Sequence, residues 1–259
     1  ELAELLEVTA EGTSDNLAKR DELRRLAEVH EQGRGDRSAA FEAYRRALAE
    51  DPSDADIADQ LERLAVELDA WDRVADAIAA RASSALDPAH GRALYMRLAN
   101  IAEARLGYDA RAIEGYRRAA EQSGDDDETL GALDRLYVRT RAATELADVL
   151  ERRIQLAADP AASAELSIRL GELKEQHFGD RRGALQAYRD VVERDPSDPR
   201  ATAALERLLT DDALAAEVVD VLDGVYRQNN ALERVASLYD VRIRLADTAG
   251  ERVRFLQEA

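Results

Sequence analysis

Three histidines, an acidic run and a large excess of carboxylates are the groups through which this 259-residue chain could do chemistry. His30, His90 and His177 are scattered, and none has a second His or a Glu at the helical spacing that holds zinc. Each therefore reads as a surface or packing residue, and no metal site is expected. The run Asp125–Glu128 (DDDE) lacks the alternating spacing of a calcium loop, while carboxylates at a helix start are favoured by the helix dipole. No GxSxG, glycine-rich phosphate loop or His-paired nucleophile occurs. Carboxylates are so abundant that pairing any two as acid and base has no support. The expectation is a protein that is not an enzyme and carries no cofactor.

What remains is recognition by charge. The net charge is −18, which opposes nucleic acid and anionic lipid and favours basic peptides or basic protein faces. No apolar run of the length a membrane span needs is present, so no membrane insertion is expected. With no Cys, disulfides and thiol chemistry are excluded, and cytoplasm and periplasm both stay open. Arg outnumbers Lys 34 to 2 beside abundant Ala and Asp, a composition suited to a GC-rich, bacterial genome.

The elements that must position these charges are helices. Charged residues make up 35% and aromatics 5%, with many Ala, Leu, Arg and Glu and only five Pro. Phe41, Tyr44, Ala47 and Leu48 fall on one helical face, and about fifteen helices of 10–18 residues are counted with no strand alternation. ELAELLEV at the start and ERVRFLQEA at the end both read as helix, which suggests a piece of a longer protein.

One period organises them. Gly35, Gly107 and Gly179 are 72 apart, as are Tyr44, Tyr116 and Tyr188, and Leu26, Leu98 and Leu170. LERL at Leu61–Leu64 returns as LDRL at Leu133–Leu136 and LERL at Leu205–Leu208. Each period splits again, since Leu26 to Leu64 is 38 residues and Leu64 to Leu98 is 34. The phrase DPSD at Asp51–Asp54 and Asp195–Asp198 is read as the joint between units. Its Pro ends one helix, and Ser53 or Asp54 caps the next. The period breaks late: Ile243, Leu245 and Ala246 follow Ile154, Leu156 and Ala157 by 89 residues, not 72. A helix around Leu214–Arg227 is expected to close one hairpin and open the next, with a local bend.

These residues resemble the tetratricopeptide repeat (TPR), a helix–turn–helix unit of about 34 residues. Leu26–Ala27, Ala40, Tyr44, Ala47 and Pro52 fit its pattern, with one extra residue in the turn. Leu98–Ala99, Ala112, Tyr116 and Ala119 fit with Gly124 replacing Pro, and Leu170–Gly171, Ala184, Tyr188, Val191 and Pro196 fit again. The resemblance implies an all-α fold, a right-handed α-solenoid of antiparallel helical hairpins, forming a TPR-like superhelix. One array over 1–259 is expected, with hairpins near 20–53, 55–88, 91–125, 128–160, 163–197 and 200–228. The break falls at 210–230 and a partial further repeat at 231–259.

The resemblance also implies that groove residues lie six and three before the small residue of each first helix, and one and four after it. Twelve of the 24 positions so chosen are acidic and two are basic. The candidates are Glu28, Glu62, Asn100, Asp134 and Glu172, with Val66, Met96, Val138 and Ile168 as apolar anchors. The family's clamp for a carboxylate tail uses Lys and Asn, but only Lys19 and Lys174 exist and neither adjoins Asn100. Trp71 and the spaced tyrosines are expected to fill contacts between helices. The function expected is a scaffold docking a basic peptide or protein on a concave acidic surface. The alternatives are a self-associating spacer in a very long repeat protein, or the regulatory array of an enzyme whose catalytic domain lies elsewhere. A solvated helix face carrying no ligand is the bland reading of the same charges.

Overall fold

The computed structural model describes residues 1–51, 53–246 and 248–258; Pro52, read above as the end of the first repeat, lies outside the described residues. Every regular element among them is helical. The chain forms two compact units, Glu1–Leu133 and the residues from Asp134 onward. The first holds α1 (Leu2–Gly12), α2 (Asn16–Glu28), α3 (Arg37–Glu50) and α4 (Ala55–Leu68). It continues with α5 (Trp71–Ser84), α6 (Pro88–Ile101), α7 (Asp109–Ser123) and the start of α8 (Asp127–Thr140). The second holds α9 (Ala143–Leu156), α10 (Pro160–His177), α11 (Arg181–Arg194) and α12 (Pro199–Leu208). It continues with α13 (Ala215–Gln228), α14 (Leu232–Leu245) and α15 (Ala249–Glu258).

Helices start where aspartates cap them. Asp15, Asp36, Asp54, Asp87, Asp159, Asp180 and Asp198 each accept a hydrogen bond from a free N–H of the following turn. In α4 the apolar residues Ile57, Ala58, Leu61, Leu64 and Ala65 recur at helical spacing and are all buried. From α1 to α7, and again from α9 to α15, each helix packs on the next in sequence. Packing chiefly between sequence neighbours makes each unit an all-α solenoid of antiparallel helical hairpins. Leu23, Phe41, Tyr44, Leu61 and Leu64 lie in the core of the first unit, and Tyr188, Leu205, Val218 and Leu222 in that of the second. The tyrosines Tyr44, Tyr116 and Tyr188 are all buried.

Two turn types produce the 38/34 alternation. After α2, α6 and α10 comes a left-handed glycine, Gly35, Gly107 or Gly179, with φ of 66°, 65° and 64°. The N–H that follows reaches a carbonyl six residues back: Asp36 to His30, Tyr108 to Ala102, Asp180 to Lys174. After α4, α8 and α13 the left-handed residue is Asp69, Arg141 or Asn230, and the bond spans only five residues. Ala70 bonds to Ala65, Ala142 to Tyr137 and Ala231 to Tyr226, at 3.0, 3.0 and 2.8 Å. Asp69 to Arg141 is 72 residues, but Arg141 to Asn230 is 89, because α12 ends instead in successive short turns over 209–214. So α13 packs on α12 as its second helix and turns into α14 as a first helix does.

The DPSD joint has a division of labour. Asp51 accepts from both the N–H and the hydroxyl of Ser53, and Asp195 does the same for Ser197. The second aspartate, Asp54 or Asp198, is the helix cap, so Ser53 braces the turn and leaves the capping to Asp54.

Candidate protein-binding surface

The first helices of the hairpins carry the charges singled out by sequence, and neighbouring helices answer several of them with arginines. Arg97 on α6 brings Nε and Nη2 to one oxygen of Glu62 on α4, at 2.9 and 2.7 Å. In the second unit Arg169 on α10 grips Asp134 through two parallel bonds of 2.8 and 2.6 Å, and Arg153 adds a third of 2.6 Å. Glu206 accepts from Tyr226 and Arg234 at 2.5 and 2.7 Å. Arg63 places Nη2 at 2.6 and 2.8 Å from the two oxygens of Glu31. Arg207 stands 3.6 Å from Glu175. Burial would raise the Asp134 carboxyl, but the two guanidiniums outweigh it and hold the group below the usual carboxylate range.

Three candidates are therefore corrected. Asp134 is buried and its charge is spent on Arg153 and Arg169, so it presents no free carboxylate. Met96 and Ile168 were read as apolar anchors, yet both are buried. The Met96 sulfur accepts from the Thr129 hydroxyl at 3.5 Å, and Ile168 joins the core of the second unit. Each lies two residues before the Leu of its helix, Leu98 or Leu170. Val66 and Val138 are exposed, at 63% and 52%. Asn100 is exposed but accepts the Tyr116 hydroxyl at 2.8 Å. Glu172 is half-buried. Trp71 packs against the core, with the Arg105 guanidinium 5.0 Å from its ring centre.

Glu28 is exposed. It lines a cavity of about 470 Å³ between α2 and α4, whose charged walls are Arg24, Glu28, Glu31, Asp56, Asp59 and Arg63. Of these, Arg24, Glu28, Glu31 and Asp59 are groove positions implied by the family pattern; Asp56 and Arg63 are not. Tyr44, from α3, forms part of the same wall. Its phenol is pushed up by burial and by Glu28 and Glu31, against the opposing pull of Arg63 and Arg24. Among the described residues no group of three or more His, Cys, Asp or Glu is arranged to hold a metal ion. No helix among them is long and apolar enough to cross a membrane.

Two of the hairpins, α6–α7 and α10–α11, share one internal contact. A small residue of the first helix meets the second at a distance only small side chains permit. A Cβ added to Gly115 would come within 2.9 Å of Ala99, and one on Gly171 within 2.4 Å of the Tyr188 ring. The fold is that of tetratricopeptide-like helical repeats. No protein-family model matches the chain, and no curated protein matches it. Solved structures similar to it include YrrB, described as a TPR protein with an unusual peptide-binding site. It is 16% identical over 79% of this chain and 99% of that one, with a TM-score of 0.38. MamA is 16% identical over 79% of this chain and 95% of its own, also at 0.38. PilF of Pseudomonas aeruginosa is 19% identical over 77% and 90%, at 0.36. The TPR-like assignment stands on the repeated hairpins, their turns and their close small-residue contacts.

Proposed function

We propose that this TPR-like chain is a non-catalytic scaffold that docks a basic peptide or protein segment, and that the α2–α4 face is its docking surface. One observation carries the reading. Glu28, Asp56 and Asp59 border the cavity, and none of them makes an ion pair among the described residues. Elsewhere several first-helix carboxylates are answered by arginines, as Glu62 is by Arg97 and Asp134 by Arg169. Four carboxylates face two guanidiniums here, and Glu31 is already bound to Arg63. The uncompensated negative charge attracts a cationic segment and sets the register in which it lies.

The test uses a fluorescent, acetylated and amidated nonapeptide of alternating Arg and Ala. Anisotropy is read at low and at moderate salt, for the native chain and for Glu28→Lys/Asp59→Lys. Binding that weakens with salt and disappears on charge reversal supports the docking surface. Equal binding by both proteins, or none by the native chain, overturns it.

A further inference from the structure

The three tyrosines spaced by 72 residues make an internal comparison. Tyr116 donates its hydroxyl hydrogen to Asn100 at 2.8 Å, and Tyr188 lies 3.3 Å from Glu175. The corresponding acceptors for Tyr44 would be Glu28 and Glu31, at 100 − 72 and 175 − 144. Neither takes the bond. Glu31 is drawn to Arg63, and the Tyr44 hydroxyl makes no hydrogen bond among the described residues, although Tyr44 is only 4% exposed. On the same cavity, the Nε–H of Arg24 is buried and has no acceptor. The Tyr44 hydroxyl, on the cavity wall, is open to solvent, whereas a buried donor without an acceptor such as the Arg24 Nε–H is uncommon, since buried polar groups in folded proteins are nearly always paired.

The charge around them selects the acceptor. Glu28, Glu31, Asp56 and Asp59 surround the opening, so an anionic acceptor is repelled. A neutral carbonyl is not. We infer that the α2–α4 cavity holds a main-chain subsite, in which Tyr44 Oη–H and Arg24 Nε–H donate to a peptide carbonyl of the docked segment. The adjoining cationic side chain then lies between Glu28 and Asp59. A volume of about 470 Å³ is within the range of pockets that enclose a small ligand, enough for a short stretch of extended chain. This subsite rests on the docking reading above and adds to it a fixed point on the peptide backbone. Such a point explains how a charged face could choose a register rather than bind any polycation loosely.

The experiment is a titration of the same Arg–Ala nonapeptide against the native chain, Tyr44→Phe, Arg24→Lys and, as a control, Tyr116→Phe. The Tyr44→Phe change removes one donor and keeps the ring that fills the core. The expected result is a loss of about 3- to 10-fold in affinity for Tyr44→Phe and for Arg24→Lys, with Tyr116→Phe unchanged. Native affinity in Tyr44→Phe and Arg24→Lys overturns the subsite. In that case Glu28→Lys/Asp59→Lys still reports separately on the docking surface. Preferential binding of a matched Glu–Ala nonapeptide overturns both.

Discussion

Arg169 holds Asp134 through two parallel hydrogen bonds thirty-five residues away, the same interval at which Arg97 holds Glu62. The two pairs occupy equivalent places in successive periods but differ in burial. Asp134 is almost wholly enclosed, whereas the side chains of Arg97 and Glu62 are about one-third exposed. Breaking a buried pair strands the partner charge, while breaking an exposed one costs little. Asp134→Ala is expected to destabilise its unit by about 2 kcal/mol, since Arg153 and Arg169 both lose their carboxylate and keep some contact with water. Glu62→Ala should cost roughly 0.5 kcal/mol or less. Urea unfolding of each variant measures the difference, and equal costs would contradict the assignment.

Two glycines should respond in opposite directions. Gly171 lies so close to the Tyr188 ring that a Cβ would sit 2.4 Å from it, and Gly171→Ala is expected to cost about 2 kcal/mol. Gly224, inside α13, has nothing within 4 Å of an added Cβ. Gly224→Ala therefore removes unfolded-state freedom without a clash, and should stabilise by about 0.5–1 kcal/mol. Thermal midpoints of the two variants check both signs.

Stability should fall in alkali. Burial, together with the hydrogen bond to Glu206, pushes the Tyr226 phenol up to about 12, against about 10 in an unfolded chain. Burial and Glu175 raise Tyr188 as well. Above pH 10 the unfolded state has released these protons and the folded state has not, so unfolding is increasingly favoured as pH rises. The contribution is fully present below pH 10 and is lost between about 10 and 12, at roughly 1.4 kcal/mol per unit for each phenol. Urea midpoints at pH 8, 10 and 11 should decline, and Tyr226→Phe should flatten the decline. A flat native profile would sink the claim.

The aspartates of the joints can be separated by substitution. Asp198 accepts from the N–H groups of Arg200 and Ala201, and Asp54 from Ile57. Replacing either by Ala should cost about 1 kcal/mol. Amide exchange in the first turn of α12 or α4 should quicken selectively. Uniform exchange across the helix would show that the cap is not what starts it.

Much of the architecture was legible before any coordinates. Helical spacing such as Ile57, Leu61 and Leu64 buries one face whatever lies opposite, so about fifteen helices could be counted from apolar periodicity, and fifteen α-helices lie among the described residues. The +89 offset of Ile243 and Leu245 is matched by the left-handed turn residue Asn230, which lies 89 residues after Arg141. The groove was less legible. Met96 and Ile168 look like exposed anchors on a single helix and are covered only by residues distant in sequence, as Met96 is by Thr129 of α8. The arginines that cancel Glu62 and Asp134 could have been noticed at their shared interval of thirty-five. Charge counting does not register that interval, because it treats every carboxylate as free.

The chain itself determined the repeat, the helical hairpins and the capped joints, since these depend on local periodicity and on residues within a few positions of one another. Only the tertiary structure decided which carboxylates remain uncompensated. It neutralises Glu31, Glu62 and Asp134 with arginines from neighbouring helices and leaves Glu28, Asp56 and Asp59 without ion pairs around one cavity. The reason is distance. A charge interacts strongly only with what lies within a few ångströms, and for these residues the nearest neighbours come from helices about thirty residues away in sequence.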